Sequence, residues 1–109
     1  VMNAPLIIEA LVAAVNSEDT DSFLALFAED GQVDFRGQIY KGHHAIRGWS
    51  DNELIGAHAR LNTTRASGGA SFAAMTVSVV GPAYKETEVF TIELRDALIS
   101  ELAIIEAKA

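Results

Sequence analysis

A chain of 109 residues, half of them hydrophobic, has the makings of a single domain (1–109) with its own core and too much apolar material for disorder. Fifteen acidic against eight basic residues give a formal net charge of −7, which argues against nucleic acid or an anionic membrane surface as a partner. The absence of cysteine excludes disulfides and thiolate metal sites. No apolar run approaches the ~18 residues of a bilayer-crossing helix, and no basic-then-apolar leader precedes the first helix. A cytoplasmic protein is the expectation, with Val1 read as an extra residue ahead of a natural start at Met2.

Leu6, Ile7, Ala10, Leu11, Ala14 and Val15 recur at helical spacing and predict a helix that fades at Asn16-Ser17. Pro5 suits its first turn, where a missing N–H is no loss. Asp19 is placed to cap a second helix with Phe23, Leu24, Leu26 and Phe27 on its buried face, and Gly31 reads as its left-handed stop. Gln32 to Phe35 reads as a short strand with Val33 and Phe35 on one face and Asp34 on the other. Arg36-Gly37 turns the chain, Ile39-Tyr40 adds a brief strand, and Gly42 opens a third helix. That helix carries Ile46 and Trp49 on one face and ends before Gly56.

From Ala57 onward the period changes to two, the mark of strands. Ala59, Leu61 and Thr63 alternate with His58, Arg60, Asn62 and Thr64. After Gly68-Gly69, Ala73, Met75, Val77 and Val79 alternate with Phe72, Ala74, Thr76 and Ser78. After Gly81-Pro82, Phe90, Ile92 and Leu94 alternate with Thr91 and Glu93. After Asp96-Ala97, Leu98 to Ile105 is apolar on both faces apart from Ser100 and Glu101. Helices followed by a four-strand antiparallel meander predict an α+β domain with its helices on one face of the sheet.

That order, with the stretches ALVAAVNSEDTDSFLALFAEDGQVDF, IYKGHHAIRGW and ELAIIEA, resembles the SnoaL-like, ketosteroid-isomerase-like branch of the nuclear transport factor 2-like superfamily. The resemblance implies a cystatin-like cone, a curved antiparallel sheet wrapped around N-terminal helices, with an apolar pocket at the open end and commonly a dimer. In the ketosteroid isomerases a Tyr on the first helix and an Asp on a late strand form the oxyanion hole, and an Asp after the second helix is the base. Those positions align with Leu11, Phe90 and Phe35 here, none of which can move a proton or donate to an oxyanion. That mechanism is therefore not expected. The inferred pocket is greasier instead, with Leu11, Phe35, Tyr40, Trp49, Leu61, Met75, Val77, Phe90 and Ile92 as candidate ligand contacts.

Three residues are candidates for catalysis. Asp34 lies beside the family's base position and would turn inward only through a one-residue bulge; otherwise it faces solvent. Glu101 aligns with a pocket-facing residue, but its strand is apolar on both faces, so the pattern leaves Glu101 inward or outward. His44, with His43, opens the third helix and could reach the pocket mouth as a neutral acid/base with Tyr40 beside it, or simply face solvent. Adjacent histidines diverge on a helix, so a metal site is not expected, and without a nucleotide or flavin motif neither is a cofactor. Trp49 reads as core or as a ligand platform. His58 and Arg60, with Asn62, Thr64, Thr76, Ser78, Thr91 and Glu93, make a polar outer face suited to a homodimer. Three functions stay open: a proton-transfer isomerase, cyclase or lyase acting on a small apolar molecule, a non-catalytic binding module, and a structural dimer with a closed core.

Overall fold

The computed structural model describes residues 3–82 and 84–107; Val1 and Met2 lie outside them. Helix α1 spans Ala4–Asn16, where Asn3 accepts a hydrogen bond from the Leu6 N–H at 3.2 Å and Pro5 sits in the first turn. Its buried stripe is Ile7, Ile8, Leu11, Ala14 and Val15. Helix α2, Thr20–Ala25, is capped by Asp19, whose carboxylate accepts from the Ser22 N–H at 3.1 Å. The Ser22 hydroxyl and N–H together hold the Asp19 carboxyl below its ordinary value.

The next segment departs from the sequence reading. Phe27 does not close α2; it opens strand β1, Phe27–Phe35. Gly31 is no helix stop but stands within that strand, where the pairing register shifts between Phe27 and Gln32. A Cβ on Gly31 would come within 2.7 Å of the Ile99 carbonyl oxygen and 3.0 Å of the Ala28 carbonyl oxygen. Close approach of two backbones, rather than a left-handed turn, is what requires glycine here. The override is tertiary: the Ile99 N–H donates to the Leu26 carbonyl at 2.8 Å, drawing the chain out of the helix and alongside the last strand.

Strand β2 follows at Gln38–Lys41, helix α3 at His43–Glu53, and then β3 (Arg60–Gly68), β4 (Phe72–Gly81), β5 (Tyr84–Arg95) and β6 (Leu98–Glu106). Among the described residues these form one sheet in the order β2-β1-β6-β5-β4-β3. The meander β3 to β6 is antiparallel throughout, and β1 joins its far edge parallel to β6. The sheet is curved and unclosed, a cone of the cystatin-like, nuclear transport factor 2-like kind.

Helix α1 packs across β3, β4 and β5 and covers that end of the cone, with an open groove left between Ile8 and Val12 of the helix and Thr63 and Ala66 of β3. Leu11, Leu61, Met75, Val77 and Ile92 are consumed in this contact, each at most 4% exposed. The end of α1 is tied to the sheet edge by Asn16. Its amide donates to the Leu61 carbonyl at 2.9 Å and accepts from the Leu61 N–H at 2.7 Å. The side chain thus supplies the pairing that edge strand β3 lacks on its outer side. His58 lies ahead of β3 rather than on the outer face, at φ 59°, with Nδ1 3.0 Å from the Glu18 carboxylate.

Candidate functional site

The other end of the cone is not covered in this way. A hollow of about 270 Å³ opens between the last turn of α3, the β1–β2 turn and the inner faces of β4, β5 and β6. Its apolar walls are Phe35, Trp49, Leu54, Val79, Phe90 and Ile104. The Phe35 and Trp49 rings are tilted against one another with centroids 5.6 Å apart, and Tyr40 backs Trp49 from behind at 6.3 Å. Trp49 is 2% exposed and its indole N–H has no acceptor among the described residues.

Strand β5 supplies the polar side. Tyr84, Glu86, Glu88, Phe90 and Ile92 share one face by the two-residue repeat, so polarity grades along the strand from a wet mouth to a dry floor. Glu88 is 5% exposed, the one carboxylate among the described residues that is buried. It is met by Arg36 from the β1–β2 turn, whose Nη2 donates to Glu88 at 2.8 Å and to the more exposed Glu86 at 2.6 Å. Burial pushes the Glu88 carboxyl above its ordinary value, opposed by Arg36 and reinforced by Glu86 and Glu106. The two glutamates in turn hold the Arg36 guanidinium protonated more firmly than usual. Burial, with Glu86, Glu88 and Glu53, also raises the Tyr84 phenol.

Arg36 reaches this position from a strained backbone. Phe35 pairs with Gln38, so Arg36-Gly37 is a two-residue hairpin loop with φ of 54° and 96°. Such loops favour Asn-Gly or Asp-Gly, and an arginine there costs about 1–2 kcal/mol. Its two charge-assisted hydrogen bonds offset that strain.

Of the residues singled out from sequence, Phe35, Trp49 and Phe90 line the hollow. Tyr40 supports it without lining it, and Leu11, Leu61, Met75, Val77 and Ile92 belong to the packed end. None of the three catalytic candidates lines it. Asp34 stays on the face opposite Val33 and its carboxylate accepts from the Gly37 N–H at 2.8 Å, holding the hairpin turn. Leu102 and Ile104 take the inward positions of β6, so Glu101 lies on the opposite face and accepts from the Gln32 amide at 2.6 Å. His44 is exposed in the first turn of α3, while half-buried His43 places Nε2 3.0 Å from the Phe27 carbonyl. Glu88, Arg36 and Tyr84 were not singled out. Carrying the Phe90-Ile92-Leu94 alternation two residues back would have placed Glu88 inward. From sequence Arg36 reads as an exposed turn residue, because its partners Glu86 and Glu88 lie some fifty positions away.

Among the described residues no three His, Asp or Glu side chains come together as metal ligands, and no helix is long and apolar enough to cross a membrane.

A curved sheet closed by helices at one end and hollow at the other defines a nuclear transport factor 2-like fold of the ketosteroid-isomerase type. Within that fold, the SnoaL-like domain model matches residues 8–102, and the chain belongs to that family. No curated protein sequence matches it. Solved structures do. A protein from Sphaerobacter thermophilus is 20% identical with a TM-score of 0.88, covering 100% of both chains. A protein with a ketosteroid isomerase-like fold from Catenulispora acidiphila, in complex with trimethylamine, is 19% identical with a TM-score of 0.80, covering 94% of this chain and 86% of that one. A computationally designed 17-OHP binder is 17% identical with a TM-score of 0.85, covering 98% and 93%. At these identities the likeness is one of fold.

Proposed function

We propose that the hollow binds a small, mostly apolar molecule between Phe35, Trp49 and Phe90, with Glu88 meeting its polar end. The observation that carries this reading is the buried Glu88 carboxylate on the wall of an aromatic hollow. A carboxylate is almost never kept out of water without a partner or a task, and Arg36 answers only part of its hydrogen-bonding capacity. The size of the hollow, about 270 Å³, favours a ligand of one or two rings. Likeness of fold to a trimethylamine complex and a designed 17-OHP binder adds support of the same kind.

Proton transfer is the second reading, favoured by the raised Glu88 value. With Leu11, Phe35 and Phe90 at the isomerase positions, an isomerase, cyclase or lyase step here would have Glu88 as its base. Asp34, Glu101 and His44 carry no step in either reading. The test is a titration of neutral one- and two-ring compounds followed by the fluorescence of Trp49, the one tryptophan of the chain. Saturable quenching that Val79→Phe abolishes by filling the hollow is expected; quenching unaffected by Val79→Phe would end the reading. Product formation lost in Glu88→Gln, with binding kept, would select the enzyme.

The reading extends to self-association through the outer face of the sheet, where Phe72, Val80 and Ile105 are 49%, 38% and 57% exposed among serines and threonines. Sedimentation equilibrium should give a dimer that Ile105→Lys dissociates. A wild-type monomer at high micromolar concentration would refute it.

A further inference from the structure

The charge around the hollow is one-sided. Among the described lining residues, Glu53, Glu86 and Glu88 face a single cation, Arg36. That cation is already engaged, since one of its terminal nitrogens serves both Glu86 and Glu88. Glu53 has no ion pair among the described residues and stands in the last turn of α3. Asn52, Glu53 and Leu54 bring the carbonyl end of that helix to the rim, and the end of a helix carries partial negative charge. The rings of Phe35, Trp49 and Phe90 line the same hollow, with Tyr84 at its mouth and the Arg36 guanidinium 5.2 Å from the Phe35 ring centroid. Rings of this kind attract a cation through their negative faces, most strongly where water is excluded.

From this placement we propose that the hollow selects an organic cation, an amine or alkylammonium on an apolar body of one ring. The inference rests on the small-molecule reading above and names the class of ligand within it. An anion would have to compete with two glutamates for Arg36 and approach Glu53 and the α3 carbonyls. A neutral molecule of the same shape gains the walls and leaves the carboxylates unanswered. Burial first, and then Glu86, Glu88 and Glu53, raise the Tyr84 phenol, so the same three carboxylates also act at the mouth of the hollow. The Trp49 ring, tilted against Phe35 on the wall of the hollow, meets the ligand's apolar body.

The experiment compares three probes of nearly one shape: trimethylphenylammonium, tert-butylbenzene and benzenesulfonate. Each is titrated into the whole chain, with the Trp49 indole signal followed by NMR. The cation is expected to bind at least tenfold more tightly than the neutral probe, with an affinity that falls as salt is added. Glu53→Gln, a surface change that leaves the fold intact, should weaken the cation several-fold and leave the neutral probe unchanged; Glu88→Gln should act in the same direction more strongly. Tert-butylbenzene binding as tightly as the cation, or benzenesulfonate binding more tightly, would overturn the charge selection while leaving a small-molecule site. No change of the Trp49 signal with any probe would overturn both.

Discussion

Replacing Arg36 by methionine should destabilise the protein in a pH-dependent way, because it strands Glu88. The side chain keeps its length and its aliphatic stem, and the left-handed backbone at φ 54° is equally strained with either residue, so these contributions cancel. What is lost are the bonds of 2.6 Å to Glu86 and 2.8 Å to Glu88. Glu86 is 39% exposed on its side chain and its pair is worth about 0–1 kcal/mol. Glu88 is 7% exposed on its side chain, and breaking a fully buried pair costs about 3–5 kcal/mol. Because Arg36 itself is 37% exposed, water screens the pair, and a loss of about 2 kcal/mol near pH 7 is the sensible figure.

The sign with pH follows from which influences remain on Glu88. Without Arg36, burial, Glu86 and Glu106 all push its carboxyl upward. A carboxyl whose folded value exceeds its unfolded value binds its proton more tightly when folded. Its contribution is therefore fully present below the unfolded value, about 4.3, and is lost as pH rises through the folded one. The defect of Arg36→Met should shrink by half or more between pH 7 and pH 4.5. Urea denaturation followed by circular dichroism at the two pH values measures it. The double variant Arg36→Met/Glu88→Leu should recover most of the loss at pH 7, having no carboxylate to strand. An equal loss at both pH values, or a double variant no better than the single one, would refute the argument.

Asn16→Ala removes both bonds to the Leu61 peptide and should cost about 2 kcal/mol in chemical denaturation, with Asn16→Asp, which keeps only the acceptor, losing about half as much. A loss below about 0.5 kcal/mol would show that water replaces the amide at the sheet edge. Gly31→Ala forces a methyl against two backbone carbonyls and should lower stability by about 1–3 kcal/mol, read as a drop in the thermal midpoint. An unchanged midpoint would mean that β1 and β6 can part without penalty.

The elements that local chemistry dictates were readable in advance. Asp19 caps α2, Pro5 enters α1 in its first turn, and the alternation of Ala73, Met75, Val77 and Val79 faces β4 inward, because propensity, capping and a two-residue repeat act within a few positions. Legibility ended where a distant partner decides. The apolar run from Phe23 to Ala28 suits either helix or strand, and only the pairing with β6 takes Phe27 out of the helix and into β1. In β6, apolar on both faces, the register shift between Glu93 and Leu94 in its pairing with β5 turns Leu102 and Ile104 inward and leaves Glu101 outside.

The amino-acid sequence alone determined the helices, the meander and the greasy character of the interior, since each follows from the order of side chains along the chain. Only the tertiary structure decided which end of the cone is covered and which polar group faces the hollow. Packing of α1 against β3 to β5 closed one end over Leu11, Leu61 and Met75. A two-residue turn swung Arg36 across to Glu88, a meeting between positions 52 apart in the chain. Local patterning carries no information about such an encounter, because burial and charge pairing depend on what the fold brings alongside.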